Sequence, residues 1–202
     1  MKKLKPKEFV SKVLGGERYF EGISLMNINL IEFIPELNNY LKNTNLDKVP
    51  MYFSNSNLKG LLAPGIYLPG SDFSNSKMNS VDFSDAILIN SELDNSNLSN
   101  ANFYCADLSK SHIAGSIING ACFNRANLTR VCFGYSSLNK SSFNNADLTE
   151  ADLRGTDLRQ VTGLDSVKGL EETIMNNLIL TKKEFDIIQH ARNKMKYDIR
   201  TK

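Results

Sequence analysis

The stretch ADLTEADLRGTDL, residues 146–158, contains nearly the same three-residue word three times. Ala-Asp-Leu occurs at 146–148 and again at 151–153, and Thr-Asp-Leu follows at 156–158. An interval of five residues fits neither the helical period of 3.6 nor the strand period of 2. The interval therefore indicates a repeated structural unit, and the neighbouring sequence is best compared at that same period.

The five-residue period runs through most of the chain. Every fifth residue from Phe53 to Leu158 is uncharged, and Ala63 is the one small residue among them. A second column, two residues earlier, is mostly Ser, Ala, Val or Thr, and the other positions of each unit are mostly Asn, Asp, Ser, Lys or Gly. Residues 51–160 are therefore predicted to consist of uninterrupted units with one large and one small inward side chain.

Units such as ANFYC, ADLSK, ANLTR, ADLTE and ADLRG resemble the pentapeptide-repeat family, whose unit is Ala-(Asp/Asn)-Leu-x-x. The resemblance covers 51–160 and extends into 18–30, where Phe20, Leu25 and Leu30 are five apart in a shifted register. It implies an all-β solenoid, a right-handed four-sided β-helix of about six or more coils. Each side would be one unit and each coil four units.

Four sides predict a second period of twenty residues, and the sequence contains one. Phe occupies positions 83, 103, 123 and 143, and Ser occupies 56, 76, 96, 116 and 136. Such columns are expected if like residues stack at the ~4.8 Å spacing of hydrogen-bonded backbone. The twenty-residue period supports four sides without reference to the family.

The two ends of a solenoid need covering. A short helix is predicted over 6–14, because Pro6 suits a first helical turn and Gly15-Gly16 suits a stop. The predicted organisation is a helical cap over 1–17, an irregular first coil over 18–35, a non-repeat excursion over 36–50, the β-helix over 51–161 and a helical cap over 162–202.

The last helix is predicted to begin at a capping box formed by Thr181 and Glu184 and to extend towards residue 199. Phe185, Ile188 and Met195 give it an apolar stripe. The stripe is either a lid on the last coil or the contact of a homodimer, since some members of the family dimerise through their C-terminal ends.

Composition restricts the possible partners. Lys and Arg number 24 against 22 Asp and Glu, so direct binding to nucleic acid is not expected. No apolar run approaches the roughly 18 residues of a membrane span, and no membrane association is predicted. The three cysteines, at 105, 122 and 132, lack the spacing of a zinc or redox pair, which predicts reduced thiols and a cytoplasmic location.

Catalytic and metal-binding groups were sought among the titratable residues. Neither His112 nor His190 has a Cys or carboxylate at ligand spacing in the sequence. Glu92, His112 and Cys132 would form a row on successive coils, but such side chains point in parallel towards solvent, without a pocket. No catalytic, metal or cofactor site is predicted, and the protein is not expected to be an enzyme.

Two surface features remain as candidate interaction sites. Residues 71–108 carry six acidic side chains against Lys77; these are Asp72, Asp82, Asp85, Glu92, Asp94 and Asp107. Asp is a common outward residue of the repeat, so the acidity is either ordinary variation or a partner site. Tyr67, Ile87 and Ile89 are outward apolar residues, covered either by 36–50, through Tyr40, Leu41 and Leu46, or by a partner.

These features favour a non-catalytic scaffold that binds an unidentified protein partner. The resemblance offers one alternative, because some family members give resistance to quinolones and related toxins by mimicking DNA in the groove of type II topoisomerases. Such a mimic is expected to be acidic along its whole length. Here 51–160 contains eight basic and ten acidic residues, and both flanking segments have a net positive charge. A carbohydrate-binding solenoid would need a row of exposed aromatic residues, whereas Tyr104 and Tyr135 fall on different sides.

Overall fold

The computed structural model describes residues 1–44 and 50–200, with side chains described as far as residue 193. Within these ranges no helix combines the length and the apolar character needed to cross a membrane. The elements in chain order are β1 (Lys2–Lys3), α1 (Pro6–Leu14), β2 (Ile23–Ser24), a 3₁₀-helix (Ile31–Phe33), α2 (Ile34–Lys42), a second 3₁₀-helix (Leu170–Glu172) and α3 (Lys182–Arg200).

Most of the chain between α2 and the second 3₁₀-helix forms a four-sided coil. Each side has one parallel bridge to the residue twenty positions later, as from Asp72 to Glu92. We number the sides by their first regular outward position: side one contains Tyr52, side two Asn57, side three Leu62 and side four Tyr67. The coil is right-handed, and the four-sided β-helix predicted from the twenty-residue period is confirmed.

The large inward side chains form an apolar column on each side. Phe103 is fully buried, and its ring stacks on that of Phe123 with centroids 5.2 Å apart and planes 5° apart. Phe53 and Phe73 stack in the same way on side one, at 5.1 Å. The sequence predicted this stacking, because residues twenty apart occupy the same position in successive coils.

The small inward side chains form a buried polar ladder. The Ser76 hydroxyl donates to the carbonyl of Phe53 at 2.9 Å and accepts the backbone N–H of Ser56 at 3.0 Å. Ser96 and Ser116 repeat the arrangement with the carbonyls of the large inward residues 23 positions earlier. The hydroxyls of these three serines are therefore satisfied by backbone groups, which is why serine is tolerated in the core, whereas the buried Ser71 Oγ has no partner among the described residues.

Many corners of the coil are held by the outward Asp or Asn of the repeat. Asp107 Oδ1 accepts the backbone N–H of Ser109 at 2.9 Å, and Asn127 Oδ1 accepts that of Thr129 at 3.2 Å. The last residue of the unit has a positive φ, 56° at Asn100 for example, a conformation that Asn and Gly adopt most readily. Many outward polar residues therefore maintain the corners of the coil.

The N-terminal end is covered by two helices. The helix predicted over 6–14 is present as α1, and its Phe9 ring lies edge-on to Phe20 with centroids 4.9 Å apart. The second helix, α2, lies mostly in the segment predicted as a non-repeat excursion and begins at Ile34, inside the segment predicted as the first coil. It forms because Pro35 occupies its first turn and Leu37 and Leu41, four residues apart, are buried on one face.

The C-terminal end is closed by an irregular last coil and α3. Bridges there span 21 or 22 residues rather than 20, as from Asp147 to Lys168 and from Asp152 to Ile174. The capping box predicted before α3 is present, because Thr181 N–H donates to Glu184 Oε2 at 2.8 Å. Ile188 is 4% exposed and closes the core, whereas Phe185 is 43% exposed. The predicted stripe therefore has a buried member, Ile188, and an exposed member, Phe185, and the Met195 side chain lies outside the described residues.

Candidate interaction surface

Side four begins where α2 meets the coil. Asn38 Nδ2 donates to the carbonyl of Gly65 at 2.6 Å, and Asn38 Oδ1 accepts the backbone N–H of Tyr67 at 2.8 Å. In the next coil the equivalent N–H, that of Ile87, donates to the carbonyl of Ile66. The Asn38 amide therefore takes the place of a backbone peptide in the first coil. Sequence analysis did not identify this residue.

The prediction that residues 36–50 cover Tyr67, Ile87 and Ile89 is only partly correct. Tyr67 is half-buried in the core, and the Lys42 ammonium lies 5.7 Å from its ring centroid. Of the residues expected to provide the cover, Leu41 is fully buried in the core against which Tyr67 packs, and Tyr40 faces the Arg18 guanidinium, 5.3 Å from its ring centroid. Leu46, the third expected cover residue, lies outside the described residues.

Ile87 and Ile89 belong to the next coil of side four. Both are half-buried, and neither is among the side chains packed into the described core. Asp107 follows Ile87 on the same side, one bridge further along. The two isoleucines therefore form a small apolar surface on side four, between Tyr67, which α2 covers, and the acidic Asp107.

The six acidic residues of 71–108 do not share one face. They divide among side one (Asp72, Glu92 and Asp94), side three (Asp82 and Asp85) and side four (Asp107). Three of them, Asp72, Asp82 and Asp107, accept the backbone N–H two residues later, at 2.8, 3.1 and 2.9 Å. Those three carboxylates hold corners of the coil, so the acidic segment is not a continuous patch.

Side one brings Glu92, Asp94 and His112 together. One oxygen of each carboxylate and one imidazole nitrogen all lie within 4.8 Å of one another. Glu92 and His112 are exposed, and Asp94 is half-buried with its Oδ1 accepting the Ala114 N–H at 2.6 Å. Cys132 follows His112 in the next coil, as the row predicted. The predicted row lacked Asp94, because the sequence was read one outward column at a time.

The four acidic residues of 141–160 are all in ion pairs, unlike those of 71–108. Arg154 lies 2.6 Å from Asp152 and Arg159 lies 2.8 Å from Asp157, and these hydrogen-bonded ion pairs lower the pKa of both carboxyls. None of the ion pairs in the described residues involves a side chain of 71–108. The unpaired negative charge is therefore concentrated in the middle of the coil.

Comparison with known proteins supports the architecture. A family model described as pentapeptide repeats matches residues 52–89, 91–130 and 126–162. A search of curated proteins gave no match.

Among solved structures, a pentapeptide-repeat protein from the Arabidopsis thaliana thylakoid lumen is 28% identical over 45% of this chain and 66% of its own, with a TM-score of 0.40. QnrB1, a plasmid-mediated fluoroquinolone resistance protein, is 13% identical over 86% of this chain and 82% of its own, with a TM-score of 0.46. HetL, from Nostoc sp. strain PCC 7120 and involved in heterocyst differentiation regulation, is 17% identical over 87% of this chain and 94% of its own, with a TM-score of 0.21.

Proposed function

The chain belongs to the pentapeptide-repeat family, and from that premise we propose that it is a non-catalytic scaffold that binds a protein partner through side four. The observation that carries the proposal is that α2 covers Tyr67 on side four, whereas Ile87 and Ile89 in the next coil are half-buried apolar side chains outside the core. Later coils place Asn127 and Thr129 at the same positions. Apolar side chains in otherwise polar columns favour a protein contact.

The coil favours such a contact because its surface needs little ordering. Ile87 N–H donates to the carbonyl of Ile66 at 2.9 Å, and Leu88 N–H donates to that of Asp107 at 2.8 Å. These bonds fix the spacing of the outward side chains before any partner binds, which reduces the entropic cost of association. A matching partner would present apolar side chains to the isoleucines and a basic group to Asp107.

A double substitution tests this surface without disturbing the repeat. Ile87→Asn with Ile89→Thr converts the side to residues that a later coil already has, so the coil is expected to form normally. Ile117→Asn is the matched control, since Ile117 is 49% exposed on side two between Asn97 and Ser137. Affinity capture from a lysate of the source cells, with bound proteins identified by mass spectrometry, provides the comparison.

The expected result is a protein captured by the wild-type chain and by Ile117→Asn but not by the double variant. The same set of proteins on all three baits would refute the use of side four. Circular dichroism of each bait would establish that the variants are folded.

The topoisomerase alternative is disfavoured by charge. A DNA mimic must present negative charge along its length, whereas Asp147, Asp152 and Asp157 are each neutralised by a basic side chain. In a gyrase supercoiling assay with and without a quinolone, we expect neither inhibition nor protection at micromolar protein. Protection in that assay would replace the scaffold proposal with the alternative.

We also propose a homodimer through the C-terminal end. Phe185 on α3 and Ile174 and Ile179 on the last coil are each between 43% and 50% exposed. Light scattering is expected to give a dimer for the wild-type chain and a monomer for Phe185→Glu. The buried Ile188 is not suitable for this test, because its substitution would open the core; a monomeric wild-type chain would refute the proposal.

A cytoplasmic location is proposed from the thiols. Cys105, Cys122 and Cys132 are all free and half-buried, as expected in a reducing compartment. Cell fractionation followed by alkylation is expected to find the protein in the cytoplasmic fraction with three reduced thiols. Recovery in an oxidising compartment would contradict this assignment.

A further inference from the structure

Side one carries a cluster of ligand-type side chains that the proposed partner surface does not use. Glu92 and Asp94 lie in one coil and His112 lies in the next, with one potential ligand atom from each residue within 4.8 Å of the other two. From this geometry we infer that Glu92, Asp94 and His112 bind a divalent transition-metal ion of the zinc class at the surface of the coil.

The donor set determines the class of metal. Zn²⁺ binds imidazole nitrogen and carboxylate oxygen at about 2.0–2.2 Å, whereas Mg²⁺ and Ca²⁺ prefer oxygen ligands alone. One imidazole with two carboxylates is a donor set suited to Zn²⁺ and its neighbours in the first transition row. Three protein ligands leave at least one coordination position for water.

Two of the three ligands depart from the pattern of their columns. In the column of Glu92, Asp72 lies one coil earlier and Asp152 three coils later, and each accepts the N–H two residues later. The described hydrogen bonds and ion pairs include none to the Glu92 carboxylate. Asp94 stands where the neighbouring coils have Ser74 and Ala114. Neither carboxylate therefore plays the usual corner role of outward Asp.

The backbone holds the cluster in register. Leu93 N–H donates to the carbonyl of His112 at 2.7 Å, and His112 N–H donates to that of Ser91 at 3.0 Å, so the two coils cannot slide relative to each other. The Ala114 N–H holds Asp94 Oδ1 and leaves Oδ2 for a ligand. The side chains of Glu92 and His112 are exposed and can rotate. Such rotation would bring the three ligand atoms, which lie within 4.8 Å of one another, to the shorter separations that a shared metal ion requires.

The local charge favours a cation. The outward positions of side one from Tyr52 to Tyr135 contain no Lys or Arg, and Asp72 lies one coil below Glu92. No ion pair of the described residues involves Glu92 or Asp94, so a metal would not have to displace a basic side chain. An unneutralised pair of carboxylates beside an imidazole attracts a divalent cation.

Calorimetric titration with zinc chloride tests the site on the full-length chain. We expect one Zn²⁺ per chain for the wild type and an affinity at least about tenfold lower for His112→Ala. His190→Ala is the matched control, because His190 is the other histidine, is equally exposed on α3 and has no role in the site. Its affinity is expected to equal that of the wild type.

Either of two results would overturn the inference: no zinc binding by the wild-type chain, or equal binding by the wild type and His112→Ala. Glu92→Gln distinguishes binding by three ligands from binding by His112 alone, because loss of the Glu92 carboxylate weakens zinc binding only if that carboxylate is a ligand. Unchanged binding in Glu92→Gln would refute the three-ligand site.

Cobalt substitution separates this site from binding by the thiols. Co²⁺ held by nitrogen and oxygen gives visible d–d absorption without a strong thiolate-to-metal charge-transfer band. The expected spectrum is retained in Cys132→Ser and lost in His112→Ala. A charge-transfer band that disappears in Cys132→Ser and persists in His112→Ala would assign the metal to the cysteine and overturn the inference.

Discussion

Replacing Asn38 by Ala is expected to detach α2 from the first coil. The substitution removes two hydrogen bonds, the one from Asn38 Nδ2 to the Gly65 carbonyl at 2.6 Å and the one from Tyr67 N–H at 2.8 Å. Each part-buried bond contributes about 0.5–1.5 kcal/mol net, so the expected loss is about 1–3 kcal/mol. Because a solenoid can open locally at its end, the loss should appear first at this contact.

Amide hydrogen exchange of Tyr67 is the direct measurement. A loss of about 1–3 kcal/mol corresponds to roughly 5- to 150-fold faster exchange of the Tyr67 N–H. Exchange of the Leu108 N–H, two coils beyond Tyr67 on side four, should not change. Asn39→Ala is the matched control, since Asn39 is the next residue on α2 and its side chain is exposed.

Asn38→Asp separates the two bonds. A carboxylate can still accept the Tyr67 N–H, but it has no donor for the Gly65 carbonyl and places an oxygen against it. We therefore expect protection of Tyr67 to fall less than in Asn38→Ala. If Asn38→Ala and Asn39→Ala exchange at the same rate at Tyr67, the role assigned to the Asn38 amide is refuted.

Three further predictions concern the coil and its C-terminal cap. Phe103→Ala should lower the free energy of unfolding in urea by about 3–5 kcal/mol, because a fully buried ring is removed; a loss below 1 kcal/mol would contradict the stacking. Gly169→Ala should lower the melting temperature more than Gly22→Ala. Both glycines have a positive φ, but a Cβ at Gly169 would lie 2.6 Å from the backbone nitrogen of Thr149, whereas a Cβ at Gly22 would contact nothing in the described part of the chain. Equal effects of the two substitutions would contradict the close approach of Gly169 to Thr149. Burial raises the pKa of Glu184, but hydrogen bonds from Thr181 and from backbone N–H groups outweigh the burial and hold the pKa below the ordinary 4.5. The stability that this carboxylate contributes is therefore present above pH 4.5 and is lost as the pH falls through the lower pKa of the folded state. The free energy of unfolding of Glu184→Gln in urea should depend less on pH than that of the wild type, and identical pH profiles would refute this.

The regular part of the fold was predictable because it repeats. A column such as Phe83, Phe103 and Phe123 appears in the sequence at a fixed interval, and each residue lies at the same position of its coil. The capping box at Thr181 was also predictable, since both partners lie within one helical turn. Local and periodic features are visible in sequence because the interacting residues stand at known separations.

The features that the sequence did not reveal depend on contacts without a fixed interval. Asn38 binds Gly65 and Tyr67 from 27 and 29 residues away, and no pattern in the sequence relates them. The sequence left open which residues of the apolar stripe of α3 are buried, because that depends on how the helix lies on the last coil; Ile188 is buried and Phe185 is exposed. Asp94 was missed beside His112 because it lies two positions outside the column that was compared.

By itself, the sequence determined the coil: its four sides, its twenty-residue register, its inward columns and the type of residue at each corner. These follow from short-range turn chemistry and from the requirement that one large and one small residue point inward in every unit. Only the tertiary structure decided how the ends are closed and which outward residues meet. The hydrogen bonds of Asn38 to the first coil and the proximity of Glu92, Asp94 and His112 depend on side-chain directions and on docking between distant segments. Several such arrangements are compatible with the same sequence pattern, and packing selects one of them.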